Sequence, residues 1–170
     1  MRKRDLTYFL VFLFFSPFSS AEEHPSKQCP KESEAATAVG NYLTAMQNHN
    51  FKKAHDFVTN FMTDGMSRDN WAGMQKLFYQ GGEVNIYGID IRPAHAVDGD
   101  PLCEGKAVVP NILQSRDKFN NQGTTEFELY TVVLSKTGMW KVDSQETLFD
   151  EARIGAWFPG VEVPAFRDAY

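Results

Sequence analysis

The chain has 170 residues, with 17 Lys+Arg against 22 Asp+Glu and a formal net charge of −5. An acidic balance without a sustained basic run excludes nucleic acid and anionic membrane surfaces as natural partners, because both are bound through neutralised phosphates. The length suits one domain burying roughly 70% of the surface its unfolded chain exposes.

The N-terminus has the three parts of a cleavable export signal. Arg2, Lys3 and Arg4 form a positive region, Leu6 to Phe15 an apolar run, and Ser19 and Ala21 the small residues that precede a cleavage site. The run is too short to be a comfortable permanent membrane span. Cleavage after Ala21 is expected, with residues 1–21 as signal peptide and a periplasmic or secreted location in a bacterium. Removal takes away three basic residues and one acidic one, leaving 14 Lys+Arg against 21 Asp+Glu and a net charge of −7. Two cysteines remain, Cys29 and Cys103. An isolated pair in an exported chain reads as one disulfide, here stapling an extended segment, residues 22–32, onto the rest.

Helical periodicity then takes over. Ala35, Val39, Tyr42, Leu43 and Met46 fall on one stripe. After His49 and Asn50, a second helix is predicted with Phe51, Ala54, Val58, Phe61 and Met62 on its apolar side, ending at Gly65. Ser67 is a suitable cap for a third, with Asp69 favourably placed in its first turn. Trp71, Met74, Leu77 and Phe78 are its expected buried face, and Gly81-Gly82 its stop.

From Glu83 the apolar period becomes two. Val84 and Ile86 share one phase, Ile89 and Ile91 the other, which predicts a β-bulge near Gly88 and a bent strand. A loop from Arg92 to Pro101 leads to a strand with Cys103, Gly105, Ala107 and Val109 on one face. A long strand is predicted over 124–134, with Phe127, Leu129, Thr131 and Val133 on one side and Tyr130, Val132 and Leu134 on the other. Apolar residues on both sides mark a central strand covered twice. "GMWKV" returns as its hairpin partner. Residues 147–157 read as a short helix, and "GAWFPGVEVPAFRDAY" closes the chain as an aromatic extension, residues 147–170 in all. Such a tail either packs back on the body or binds a partner.

Helices followed by a strongly bent antiparallel sheet resemble the NTF2-like superfamily, also described as cystatin-like, in which an α+β cone is enclosed by helices and a curved sheet. The likeness is carried by "AVGNYLTAMQNHNFKKAHDFV", similar to that fold's opening helix pair, by "SRDNWAGMQKLF", similar to its third helix, and by "ELYTVVLSKTGMWKVDS", similar to its closing hairpin. It covers roughly residues 33–145, with the domain itself set at 33–146, and it implies architecture rather than activity. Members either keep the cone open as an enzyme pocket, as ketosteroid isomerases and dehydratases do, or fill it and bind partners through the sheet. A homodimer through the sheet is therefore among the expected arrangements. Trp140 and Val142 are expected to face Val39, Leu43 and Trp71 inside a largely filled cone.

No catalytic motif accompanies these patterns. Proton-transfer chemistry needs a carboxylate or histidine in an apolar pocket facing a hydroxyl donor, and the residues able to converge in that way are Tyr42, Asp90 and Tyr130. The bland account, two core tyrosines and a solvated edge carboxylate, is preferred. His55 and Asp56 are neighbours that point about 100° apart on a helix, so they do not form a dyad. His49 and His55 lack chelating spacing, and "HAVDGDP" lacks the ligand count of a calcium loop. No metal and no cofactor is expected. The reading is a non-catalytic exported domain that binds a protein partner or a small apolar ligand, with an isomerase or dehydratase as the alternative.

Overall fold

The computed structural model describes residues 32–96 and 105–162. The predicted signal peptide, the entry segment through Lys31, both cysteines and residues 163–170 lie outside them. The stripe on the first helix, α1 (Glu32–Gln47), is buried as its spacing demands: Ala35, Val39, Tyr42, Leu43 and Met46 all enter the core. Asn50 caps α2 (Phe51–His55) by accepting from the Lys53 N–H at 3.3 Å. That helix is one turn long, shorter than its apolar pattern predicts. Val58 instead leaves the helix to form a bridge with Val142, where Thr59 N–H donates to the Val142 carbonyl at 2.9 Å. A strand edge thus claimed the backbone that helical periodicity had assigned to α2, and Phe61 is left 77% exposed.

Ser67 caps α3 (Arg68–Gly82) as expected. Its buried side differs from the predicted one. Trp71 and Ala72 are buried and Tyr79 packs against the core, whereas Met74, Leu77 and Phe78 face outward. Two stripes sharing Trp71 compete on this helix, and the sequence cannot rank them by periodicity alone. The left-handed residue that ends the helix is Glu83, at φ 55°, rather than either glycine.

The sheet follows the order β1 (Asn85–Ile91), β3 (Lys106–Arg116), β4 (Thr124–Leu134) and β5 (Trp140–Leu148), all antiparallel. A two-residue strand, β2 (His95–Ala96), pairs with β3 inside what reads as a loop. The register of β1 on β3 shifts between Ile86 and Gly88, at the predicted bulge. A Cβ at Gly88 would collide with the Gln114 side chain, so the bulge can seat only glycine without displacement. The hairpin from β4 to β5 turns at Gly138, φ 80°.

Both faces of the sheet are covered. On the inner face α1, α2 and α3 enclose Ala107, Val109, Leu113, Tyr130, Val132, Trp140 and Val142 in one continuous core. On the outer face α4 (Glu151–Trp157), capped by Asp150, packs Ile154 and the following Phe158 onto Ile112, Phe127, Leu129 and Leu148. The Phe127 and Phe158 rings meet edge to face, centroids 5.1 Å apart. The strand β5 runs on to Leu148, so the last helix begins four residues later than predicted. The extension up to Val161 therefore packs back on the body.

Candidate functional site: a buried carboxylate in the cone

Strand alternation sets which side chains of β4 point inward. Val132, Tyr130 and Glu128 share the inner phase, and Glu128 pairs in register with Asn111 on β3 and Thr147 on β5. A carboxylate is thereby carried into the enclosed face, where it is 3% exposed. An unpaired charge at such a depth is costly, and three donors reduce the cost. Asn111 Nδ2 donates to Glu128 Oε2 at 3.0 Å, the Tyr130 hydroxyl to the same oxygen at 2.9 Å, and Gln145 Nε2 to Oε1 at 3.1 Å. They do not cancel it. Burial pushes the Glu128 carboxyl up to about 7, while the three hydrogen bonds pull downward and Glu126 adds to the rise.

Around this carboxylate stand three phenols. Tyr42 on α1 meets Tyr130 edge to face with ring centroids 6.2 Å apart. Burial raises the Tyr42 hydroxyl well above the usual phenol range, with Tyr79 and Glu128 adding repulsion. Tyr130 is likewise raised well above the usual phenol range, first by burial and then by Glu128. Tyr79 on α3 is pushed up to about 12 by burial and the charges of Glu128 and Glu126. All three are proton donors held neutral. The Asn111 Oδ1 is buried without a partner among the described residues.

Of the three residues singled out for proton transfer, two come together and one does not. Tyr42 and Tyr130 share the inner core. Asp90 lies opposite Ile112 on the outer face, exposed and paired with Arg92 at 2.7 Å. The bulge at Gly88 is the reason, since it places Ile89 and Ile91 inward and therefore turns Asp90 out. The carboxylate that does join the tyrosines, Glu128, is the residue sequence reasoning missed. Its signal was present: it stands two positions before Tyr130 in the phase already read as inward.

Val39, Leu43, Trp71, Trp140 and Val142 belong to one buried cluster, which closes the space between α1, α3 and the hairpin. A separate cleft of about 450 Å³ opens beside it, between α1, α2 and the β4–β5 turn. Ala38, Phe57, Met139 and Trp140 form its apolar wall, with Asn41, Lys53 and Asp56 among its polar residues. The Trp140 Nε1 is buried and without a partner among the described residues. His55 touches Trp71 and Met66 rather than Asp56. His95 packs on Trp157, centroids 5.5 Å apart. Among the described residues no three His, Cys, Asp or Glu side chains are grouped to hold a metal ion, and no helix is long and apolar enough to cross a membrane.

No protein-family profile and no curated protein sequence matches the chain. Solved structures do. A domain of unknown function with a cystatin-like fold from Nostoc punctiforme superposes with a TM-score of 0.52 at 11% identity, over 75% of this chain and 83% of that one. A ketosteroid isomerase-like protein from Erwinia carotovora atroseptica gives 0.49 at 17% identity, over 70% and 97%. Bd1075 of Bdellovibrio bacteriovorus gives 0.48 at 12% identity over 70% of this chain, which spans only 41% of that protein. Helices laid against one face of a bent antiparallel sheet, superposing on the cystatin-like domain over three quarters of the chain, identify the fold as the NTF2-like, cystatin-like α+β cone.

Proposed function

We propose that the chain is a non-catalytic binding domain, exported to the bacterial periplasm, whose ligand is a small and mostly apolar molecule seated in the cleft beside Trp140. One contrast carries the reading. Glu128, the titratable group best suited to chemistry, is 3% exposed and already holds three donors. A substrate has no approach to it, and a general base must come within hydrogen-bond reach of the proton it takes. Accessible space lies elsewhere, and the cleft beside Trp140 has a volume of about 450 Å³, within the range of small-molecule sites, and an aromatic and aliphatic wall. The polar residues Asn41, Lys53 and Asp56 on its border give a ligand orientation. The N-terminal pattern of Arg2–Arg4, the apolar run and Ala21 supports export.

The experiment is a thermal-shift screen of apolar small molecules with tryptophan emission as second readout. A hit should raise the midpoint of the wild type and alter emission. Met139 is 56% exposed, so Met139→Glu alters the cleft wall without a folding penalty and should reduce the shift at least tenfold in ligand concentration. A hit that binds Met139→Glu and wild type equally refutes the site.

A second reading, an isomerase or dehydratase, is favoured by one observation: a carboxyl pushed up to about 7 inside the cone, beside a tyrosine hydroxyl. That value is the useful one for acid–base work near neutrality. In this reading Glu128 is the base and Tyr130 the donor, and turnover of a ketone or hydroxy substrate by wild type must vanish in Glu128→Gln.

A further inference from the structure

Among the described residues, α3 carries a continuous exposed apolar face. Met74, Leu77, Phe78 and Gly81 follow one another at helical spacings of three, one and three residues, forming a seam along one side of the helix. Leu77 is 74% exposed and Phe78 73%, values at odds with a helix side meant for water. The turn between β3 and β4 extends the seam. Lys118 N–H donates to the Gly82 carbonyl at 2.9 Å and Lys118 Nζ reaches the Gly81 carbonyl. The ammonium also lies over the Phe119 ring, 5.0 Å from its centroid, which brings that ring beside the end of the seam at 85% exposure.

We infer that this seam is the interface at which two copies of the chain associate, with their α3 helices antiparallel about a two-fold axis. The order of residues is self-complementary in that arrangement. An axis passing between Leu77 and Phe78 sets Leu77 of one copy against Phe78 of its partner, and Met74 against Gly81. A flexible methionine thus meets the one position without a side chain, and Phe119 beside Gly81 offers the sulfur an aromatic edge. A two-fold interface requires such a match, the same patch serving both copies. The four helix positions carry no charge, and Gln80 beside Leu77 and the Lys118 ammonium at the Gly81 end supply the polar border of a dry centre.

The area is sufficient. Met74, Leu77, Phe78 and Phe119 together expose on the order of 500 Å² of mostly apolar surface per copy, at the upper end of what a monomer tolerates. Two facing seams bury on the order of 1,000 Å², the lower bound of a specific interface, before flanking residues add to it. The outer face of the sheet, through which a homodimer is expected from the fold resemblance, is a weaker candidate in this chain. There α4 and Phe158 already cover Ile112, Phe127, Leu129 and Leu148. The inference is independent of the ligand cleft, which α3 does not line.

The test is sedimentation equilibrium of the purified chain over a wide concentration range, with three variants. Wild type should dimerise reversibly. Leu77→Ser and Phe78→Ser should each weaken the dimer about a hundredfold, the loss expected of a central apolar anchor. Their unfolding midpoints as isolated monomers should not fall, because both side chains are exposed. Gly81→Gln is the decisive variant. A Cβ at Gly81 meets nothing within 4 Å in the single chain, so the fold accepts it, while the hole for the partner's Met74 is filled and dissociation should rise at least tenfold. A wild type that stays monomeric at the highest concentration overturns the inference, including the case in which it binds phospholipid vesicles instead. So does a dimer that all three variants leave intact.

Discussion

Replacing Glu128 by Gln should raise stability near pH 8 and remove a pH dependence that wild type shows. The folded carboxyl is pushed up to about 7 by burial, against an ordinary value of 4.5. Between those limits the native state holds a proton that the unfolded chain has released. Stability must therefore fall as pH rises from about 4.5 to about 7 and level off above it. At 1.36 kcal/mol per pKa unit the full loss is about 3 kcal/mol, fully recovered below the unfolded value. Gln carries no charge and keeps the shape. Its Oε1 can accept from Asn111 Nδ2 and the Tyr130 hydroxyl, and its Nε2 faces the exposed Gln145, whose amide, turned over, accepts from it while the Thr147 hydroxyl reverses to donate. Urea unfolding at half-unit intervals from pH 4.5 to 8.5 gives both curves, and their difference isolates Glu128 from every group the two proteins share. The difference should grow toward high pH by about 3 kcal/mol. A difference that stays level, or grows toward low pH, refutes the placement of an uncompensated carboxylate in the cone.

Trp140→Ala should cost about 3–5 kcal/mol, since the side chain is buried in the cluster that closes the cone, and a near-neutral midpoint in denaturant would reopen the cone as a pocket. Phe158→Ala should cost a comparable amount, about 3–5 kcal/mol, because the ring lies 5.1 Å from Phe127 in the outer core, and a limited-proteolysis cut after Leu148 should appear only in the variant. Protein recovered from the periplasm should begin at or near Glu22 by intact mass and show no free thiol when unfolded without reductant. Loss of the Cys29–Cys103 link would then cost about 4 kcal/mol on the chain-entropy account.

Local chemistry determined a good part of this molecule. The limits of β4 at Thr124 and Leu134, the bulge at Gly88, the Ser67 cap and the buried stripe of α1 are all readable in the sequence, because each depends on neighbours within a few residues. The hairpin turn at Gly138 belongs with them. What the tertiary structure decided are contests between equally good local patterns. Val58 was suited to a helix or a strand edge, and the carbonyl and N–H of Val142 settled it. The helix α3 had two apolar sides, and only the burial of Ala72 and the packing of Tyr79 on Phe51 and His49 show which one is inside. Half of the candidate site was legible in the same way. Tyr42 and Tyr130 each lie on a stripe whose inward direction is local, so their meeting follows from two correct phases. Asp90 does not join them, because the bulge before it reverses the strand's phase and leaves it an exposed edge carboxylate paired with Arg92. Glu128 is the deepest case. A carboxylate on an inward position contradicts the ordinary rule for charged residues, and only the donors brought from Asn111, Tyr130 and Gln145, on three strands, make that position tenable.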